Sequence, residues 1–392
     1  MNPGAESWVG VLGGGQLGRM LALEARRMSF RVMKWTGGDT SGASGLGDLV
    51  MHDGFDCPEA LERFLKRVEV ATVEFENVPR GLLETIEERV PLLPGSLAVA
   101  TCQHREREKT FLRTNGIPCA DFHLIDSAGR LTAGLAALPG DAILKTAEFG
   151  YDGKGQLALA RDTPAEELEA IWKDFASERA VLEERVPLAA ELSVLVVRDR
   201  TGEVVTYDPA ENLHHNHILD LSIVPARLAD DLLAEAAEIA ITVAEALDYV
   251  GLLAVEFFLA TDGRLLVNEM APRPHNSGHH TLDACETSQF EQQLRAVCGS
   301  PLGSPRLMQP AVMWNLLGDL WVDETTPPDW SPILATPGAT LHIYGKNAAR
   351  PGRKMGHATF TAPTLEEALA GAARCRQALG WQTGARPEDV LA

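Results

Sequence analysis

Ala254-Val255-Glu256-Phe257-Phe258-Leu259-Ala260-Thr261-Asp262-Gly263-Arg264-Leu265-Leu266-Val267-Asn268-Glu269-Met270 is a pair of apolar runs joined by a turn. Asp-Gly is a preferred central pair of a two-residue hairpin loop, because both residues tolerate positive φ. If Asp262 and Gly263 are that loop, Thr261 faces Arg264, and counting back along both strands sets Glu256 directly opposite Glu269. Opposed residues share a face, with Cβ atoms about 5 Å apart. Two carboxylates so close repel unless a cation lies between them. The flanking residues are apolar, so the strands read as buried rather than as a solvated surface pair. A hard divalent cation with oxygen ligands fits, and Mg2+ bridging nucleotide phosphates is the usual case. Glu256 and Glu269 are the expected metal ligands.

On both sides of this hairpin the sequence turns polar in specific ways. Immediately after it comes Ala271-Pro272-Arg273-Pro274-His275-Asn276-Ser277-Gly278-His279, a dense polar loop leaving a buried strand, which is rarely filler. Upstream, Lys145 lies on the predicted strand 142–146 and is followed by Gly150-Tyr151-Asp152-Gly153-Lys154-Gly155-Gln156. Glycine loops of this kind expose amides and cover polyphosphates. Downstream, Lys346, Arg350, Arg353 and Lys354 crowd one short stretch, read either as a solvated basic face or as a local phosphate grip. The N-terminus offers Gly13-Gly14-Gly15-Gln16-Leu17-Gly18 between a strand (8–12) and a helix (19–28), the opening of a doubly wound sheet. A dinucleotide enzyme would want an acidic residue at the end of the second strand, which here reads Lys34-Trp35-Thr36. The loop is then a tight packing turn or a sugar-phosphate site, and the second reading is favoured.

The whole-chain numbers set the bounds. A length of 392 residues implies two or three domains of about 100–200 residues. With 35 Lys and Arg against 55 Asp and Glu, the net charge of −20 makes nucleic acid and anionic membranes poor partners. A phosphate-bearing substrate would need a local basic cluster. The cysteines are scattered without a CxxC pair, which argues against a zinc or disulfide framework. No signal peptide and no membrane-length apolar run is visible, so a soluble, cytoplasmic protein is expected.

Together, GGGQLGRM, TVEFENVP, GYDGKGQ, ELSV, VEFF, NEMAPRPHNSGH, SQFEQQLRAV, YGK and GRKMGH resemble the N5-carboxyaminoimidazole ribonucleotide synthases of the ATP-grasp superfamily, over nearly the full length. The resemblance implies α/β and α+β architecture: a Rossmann-like domain at 1–105, a two-lobed ATP-grasp domain at 106–303 with a mobile lobe at about 116–186, and a small mixed domain at 304–392. It implies ATP contacts at Arg105, Lys145, Gly150, Tyr151, Asp152, Gly153, Lys154, Gly155, Gln156, the hinge Glu183, Glu184, Arg185 and Val186, then Glu191, His214, Asn268 and Glu269. Glu191 would accept ribose hydroxyls, and the hinge backbone would read adenine. It places 5-aminoimidazole ribonucleotide among Gln16, Leu17, Glu76, Tyr151, Asp152, Arg273, His275 and Asn276, with its phosphate on Lys346 and Arg353. Catalytic roles are implied for Asp152, Arg273, His275 and Lys346, with Mg2+ as cofactor, bicarbonate as co-substrate and a homodimer as assembly. His104 and His280 depart from the family's usual residues. The competing readings are a sibling ATP-grasp enzyme using formate, a Rossmann dehydrogenase, and a silent nucleotide binder.

Overall fold

The computed structural model describes residues 7–148, 155–175 and 177–381. The apolar run Trp8–Leu12 pairs in parallel with Arg31–Trp35 on one side and Val70–Val73 on the other, and Leu49–Met51 adds a fourth parallel strand. Helix Gln16–Arg27 lays Leu17, Met20, Leu21 and Ala25 against Val9 and Val11, the apolar stripe a sheet-covering helix needs. The expected doubly wound opening is therefore present.

Between the N-terminal sheet and the hairpin stands a four-stranded antiparallel sheet, in the order Phe122–Ile125, Ala180–Glu184, Ala142–Thr146, Gln156–Leu159. Helices Ala128–Ala137 and Ala165–Asp174 cover it through Leu131, Leu135 and Leu168.

The hairpin belongs to a third and larger sheet. Its order is Leu265–Ala271, Gly251–Ala260, Leu188–Arg198, Ala210–His215, Ile218–Val224, Ala311–Leu317, Lys354–Thr361, Ala339–Ile343, with Val204–Thr206 paired beside Leu188–Arg198. The expected boundary at 303–304 thus falls inside one continuous sheet: Leu221 pairs with Trp314 and Ile223 with Val312. Two helices that pack on this region start at side-chain N-caps, where Ser288 Oγ accepts from Glu291 N and Thr364 Oγ1 from Glu367 N. The first ends at Gly299, whose φ of 72° is the left-handed conformation a helix C-terminus favours.

The hairpin register corrects the sequence reading. Ala260 N donates to Arg264 O at 2.9 Å, so the loop holds three residues, 261–263, with Gly263 at φ 88°. That loop alone would set Glu256 opposite Asn268. A β-bulge between Glu256 and Phe257 restores the pairing of Glu256 with Glu269. Val267 and Met270 both join the core with Val255 and Phe257. The two residues between them, Asn268 and Glu269, therefore share the opposite face, the re-aiming that bulges produce.

Candidate functional site

One face of the hairpin is core, and the other carries Glu256, Asn268 and Glu269. Glu256 is half-buried and Glu269 is exposed, so the face is more open than its apolar flanks suggest. Burial, and then the charge of Glu269, push the Glu256 carboxyl up to about 7. Two facing carboxylates, one of them held above its usual range, are the donor set that a hard divalent cation relieves, and these residues fit Mg2+.

His275 Nε2 lies 3.1 Å from Glu256 Oε1. The ring is neutral, held well below its usual range by burial and then by Arg273. Its tautomer follows from one contact: the backbone N–H of Ser277 can only donate, and it donates to His275 Nδ1 at 3.3 Å. The ring proton is then on Nε2 and points at Glu256. Behind Nδ1 runs a buried chain. Ser277 Oγ stands 2.9 Å from that nitrogen and accepts from Ser193 Oγ, which accepts from Asn212 Nδ2; Asn212 Oδ1 accepts from Ser222 Oγ. This chain orients His275, and no local sequence pattern marks it.

Lys145 reaches the same face from the smaller sheet through an ion-pair chain. Its Nζ is 3.0 Å from Glu183 Oε2, which is 3.2 Å from Lys109 Nζ, which donates to Asn268 O at 3.0 Å. Glu183 is 2% exposed; despite the opposing effect of burial, the two lysines hold its carboxyl down to about 2. Burial, with Lys109 beside it, keeps Lys145 below the usual lysine range, while Lys109, between Glu183 and Glu108, is held above it. Glu108, buried and close to Glu269, is pushed up to about 8 and accepts from Met270 N. Lys109 and Glu108 are invisible to sequence reading, because only the fold brings their helix, Arg105–Thr114, against the bulge. Arg105 Nη1 donates to Thr146 O, and Gln156 pairs with Lys145 across the strands beside Gly155.

The other residues implied to contact ATP make contacts of their own within the protein. Glu191 Oε1 is 3.3 Å from His214 Nδ1, and this pairing raises the His214 pKa against burial. In the hinge, Glu184 N donates to Asp121 O and Arg185 N to Asp141 O, so those two amides are already engaged. The Glu184 carboxylate is held by Arg264, and Val186 packs with Ala120, Ala260 and Leu266. Gly150, Tyr151, Asp152, Gly153 and Lys154 lie outside the described residues.

In the glycine-rich N-terminal loop, two backbone amides are already engaged by a side chain. Glu74 Oε1 accepts from Gly15 N at 2.8 Å and Oε2 from Gly18 N at 2.9 Å. The protein's own buried carboxylate occupies the amides that an anion would take. A Cβ at Gly13 would fall 2.3 Å from Glu74 Cγ, so glycine there serves this packing. Leu17 is core, leaving Gln16 and backbone groups to face a ligand. Two residues on, Glu76 Oε2 accepts from Arg273 Nε at 2.5 Å. Arg273 feels Glu76, Glu74 and Glu269 together, so it bridges the first sheet and the hairpin. Asn276 is buried and exchanges two amide hydrogen bonds with Asn315. Lys346 donates to Lys354 O and Arg353 to Ala348 O. Burial, then Arg353 and Lys354, push Lys346 down to about 8, while Glu74 and Asp39 pull the other way. Lys346 therefore stands near the N-terminal loop, whereas Arg350 is exposed.

Comparison with known proteins shows the family of the chain and of its fold. Residues 7–103 match the ribonucleotide synthetase preATP-grasp domain, 110–290 the ATP-grasp domain, and 311–371 the phosphoribosylaminoimidazole carboxylase C-terminal domain. The N5-carboxyaminoimidazole ribonucleotide synthase of Bacillus subtilis (strain 168) is 42% identical over 358 residues, 91% of this chain and 92% of that protein. The crystal structure of the synthetase from Thermus thermophilus superposes with a TM-score of 0.86 at 40% identity, covering 94% of this chain and 98% of that one. That of the Aspergillus clavatus synthase, in complex with ADP and 5-aminoimidazole ribonucleotide, gives 0.84 at 30% identity, covering 96% and 99%. On these grounds the chain belongs to the N5-carboxyaminoimidazole ribonucleotide synthase family, ATP-grasp ligases of purine biosynthesis.

Proposed function

We propose that the chain carboxylates the exocyclic amine of 5-aminoimidazole ribonucleotide with bicarbonate and ATP, releasing ADP and phosphate by way of carboxyphosphate. The observation that carries this reading is the chain Lys145–Glu183–Lys109–Asn268, which couples a strand lysine of one sheet to the carboxylate face of another. ATP lies between those sheets, with its phosphates toward Lys145, Arg105 and residues 150–156. Glu256 and Glu269 would hold Mg2+, which when bound offsets charge on the transferring phosphoryl group. A bicarbonate oxygen attacks the γ-phosphorus and ADP departs. The labile carboxyphosphate must be kept from water until the amine takes its carboxyl group. The substrate amine then takes the carboxyl group, and Asp152 orients that amine and accepts its proton.

Arg273, His275 and Asn276 line the nucleotide side, and Lys346 and Arg353 hold the substrate phosphate. His275, neutral with its proton on Nε2, is a donor toward the carboxylate face. The working unit is a cytoplasmic homodimer. The direct test measures ADP release from ATP and bicarbonate, with and without 5-aminoimidazole ribonucleotide. Release that depends on all three supports the proposal; release with formate and no response to bicarbonate would assign the chain to the formate-using siblings.

A further inference from the structure

Away from the hairpin, three ligand-type side chains converge where the C-terminal strands meet the helical turn after the polar loop. Asp283 comes from helix Thr281–Ala284, His342 from strand Ala339–Ile343 and His357 from strand Lys354–Thr361. One ligand atom of each lies within 4.8 Å of the other two. His342 Nε2 stands 3.0 and 3.3 Å from the two Asp283 oxygens. With zinc–nitrogen and zinc–oxygen bonds of about 2.1 Å, two ligands of a tetrahedron stand about 3.4 Å apart. The Asp283–His342 pair stands near that spacing at hydrogen-bond distance, while the His342 and His357 rings stack with centroids 4.4 Å apart, so binding turns one of the two rings toward Asp283.

A second observation points to a ligand. His357 is fully buried, its Nδ1 is 2.9 Å from Tyr344 Oη, and its Nε2 has no hydrogen-bond partner among the described residues. A buried ring nitrogen without a partner is costly, and ligating imidazoles are usually held through their other nitrogen, as Tyr344 holds this one. His279, whose Nε2 is likewise buried and unpartnered, packs its ring 4.8 Å from His357.

We propose that Asp283, His342 and His357 form a binding site for a divalent transition metal, zinc by preference, with water in the fourth position. Two imidazoles and one carboxylate suit zinc, whereas the all-oxygen pair Glu256 and Glu269 suits magnesium. The metal would pin the strands that flank Lys346 and Arg353 to the turn that follows His275 and Asn276. It would thereby set the distance between the phosphate grip and the rest of the substrate site.

The test uses the full chain, stripped with EDTA and titrated with ZnCl2 in excess Mg2+. Calorimetry and elemental analysis should give one tightly bound zinc per chain, and thermal unfolding should move up with zinc. Cobalt in its place should show the visible bands of four-coordinate, nitrogen-ligated cobalt. His342→Ala and the isosteric Asp283→Asn should each weaken binding by more than about 100-fold, the upper range for loss of an outer partner. Circular dichroism checks their fold; His357→Ala is a poorer choice because the side chain is fully buried. Glu269→Gln should keep the zinc. No stoichiometric uptake by the unaltered chain, or uptake lost in Glu269→Gln but kept in His342→Ala, would overturn the proposal.

Discussion

Replacing Glu183 with Gln tests the ion-pair chain that joins the two sheets. The carboxylate is 2% exposed between Lys145 and Lys109, and its pKa falls from 4.5 to about 2 on folding. At 1.36 kcal/mol per unit, that displacement is worth ~3 kcal/mol. A carboxylate with a depressed folded pKa stabilises fully above its unfolded value and loses that contribution as pH falls toward the folded one. The stabilisation is therefore present at pH 7 and disappears between about pH 4.5 and 2. Removing one member of a buried ion pair independently costs about 3–5 kcal/mol, because the partner charge is left uncompensated. Glu183→Gln should thus lower the local opening free energy of strands Ala142–Thr146 and Ala180–Glu184 by ~3 kcal/mol at pH 7. At about 1.4 kcal/mol per tenfold, amide exchange there should speed up by roughly 100-fold. Hydrogen exchange followed by mass spectrometry reads those peptides directly. A change below about threefold, or an acid branch identical in variant and parent, would show that the lysines do not depend on Glu183.

Four further outcomes are expected. Glu269→Gln removes one magnesium donor and should lower turnover by about two orders of magnitude or more with the fold intact; near-normal activity at low Mg2+ would rule out the ligand assignment. Lys346→Ala and Arg353→Ala should raise KM for the aminoimidazole nucleotide with little change for ATP, since a phosphate contact serves ground and transition states alike. Lys346 titrates at about 8 and must be cationic to hold phosphate, so that KM should climb as pH rises through about 8 in the parent and not in Lys346→Ala; a flat parental profile would remove Lys346 from the grip. Ser277→Ala takes away the hydroxyl behind His275 Nδ1 and should lower kcat more than either KM, an effect steady-state assays at saturating ATP would detect.

The facing of Glu256 and Glu269 is legible because turn chemistry and strand alternation both act locally. The register reasoning nevertheless reaches Glu256 and Glu269 through two compensating features. The loop has three residues rather than two, and the bulge at Asn268 supplies the missing step. Nothing in a single sequence announces a bulge, since it is set by packing of Val267 and Met270 in the core. Helices are readable where caps frame them, as at Ser288 and Thr364. Short Leu49–Met51, by contrast, is too brief for a period to show. Glu74 does not stand out beside Glu76, because its role exists only once its strand lies against the glycine loop. The glycine pattern therefore reads correctly as a turn before a helix, while the carboxylate that takes two of its amides does not show in it. Lys109, Ser193 and Asp283 lie far in sequence from what they touch, and only long-range pairing brings them together.

The continuous sheet bears on how this protein can be inherited. A recombination event that cut between Leu302 and Ser304 would not release a portable module. It would separate Ile218–Val224 from Ala311–Leu317, leaving two raw, apolar edges with unpaired amides and carbonyls. Such edges template aggregation rather than fold alone. The segment that holds the basic cluster can therefore travel between genes only with the ATP-grasp strands it completes, which makes the two a single evolutionary unit.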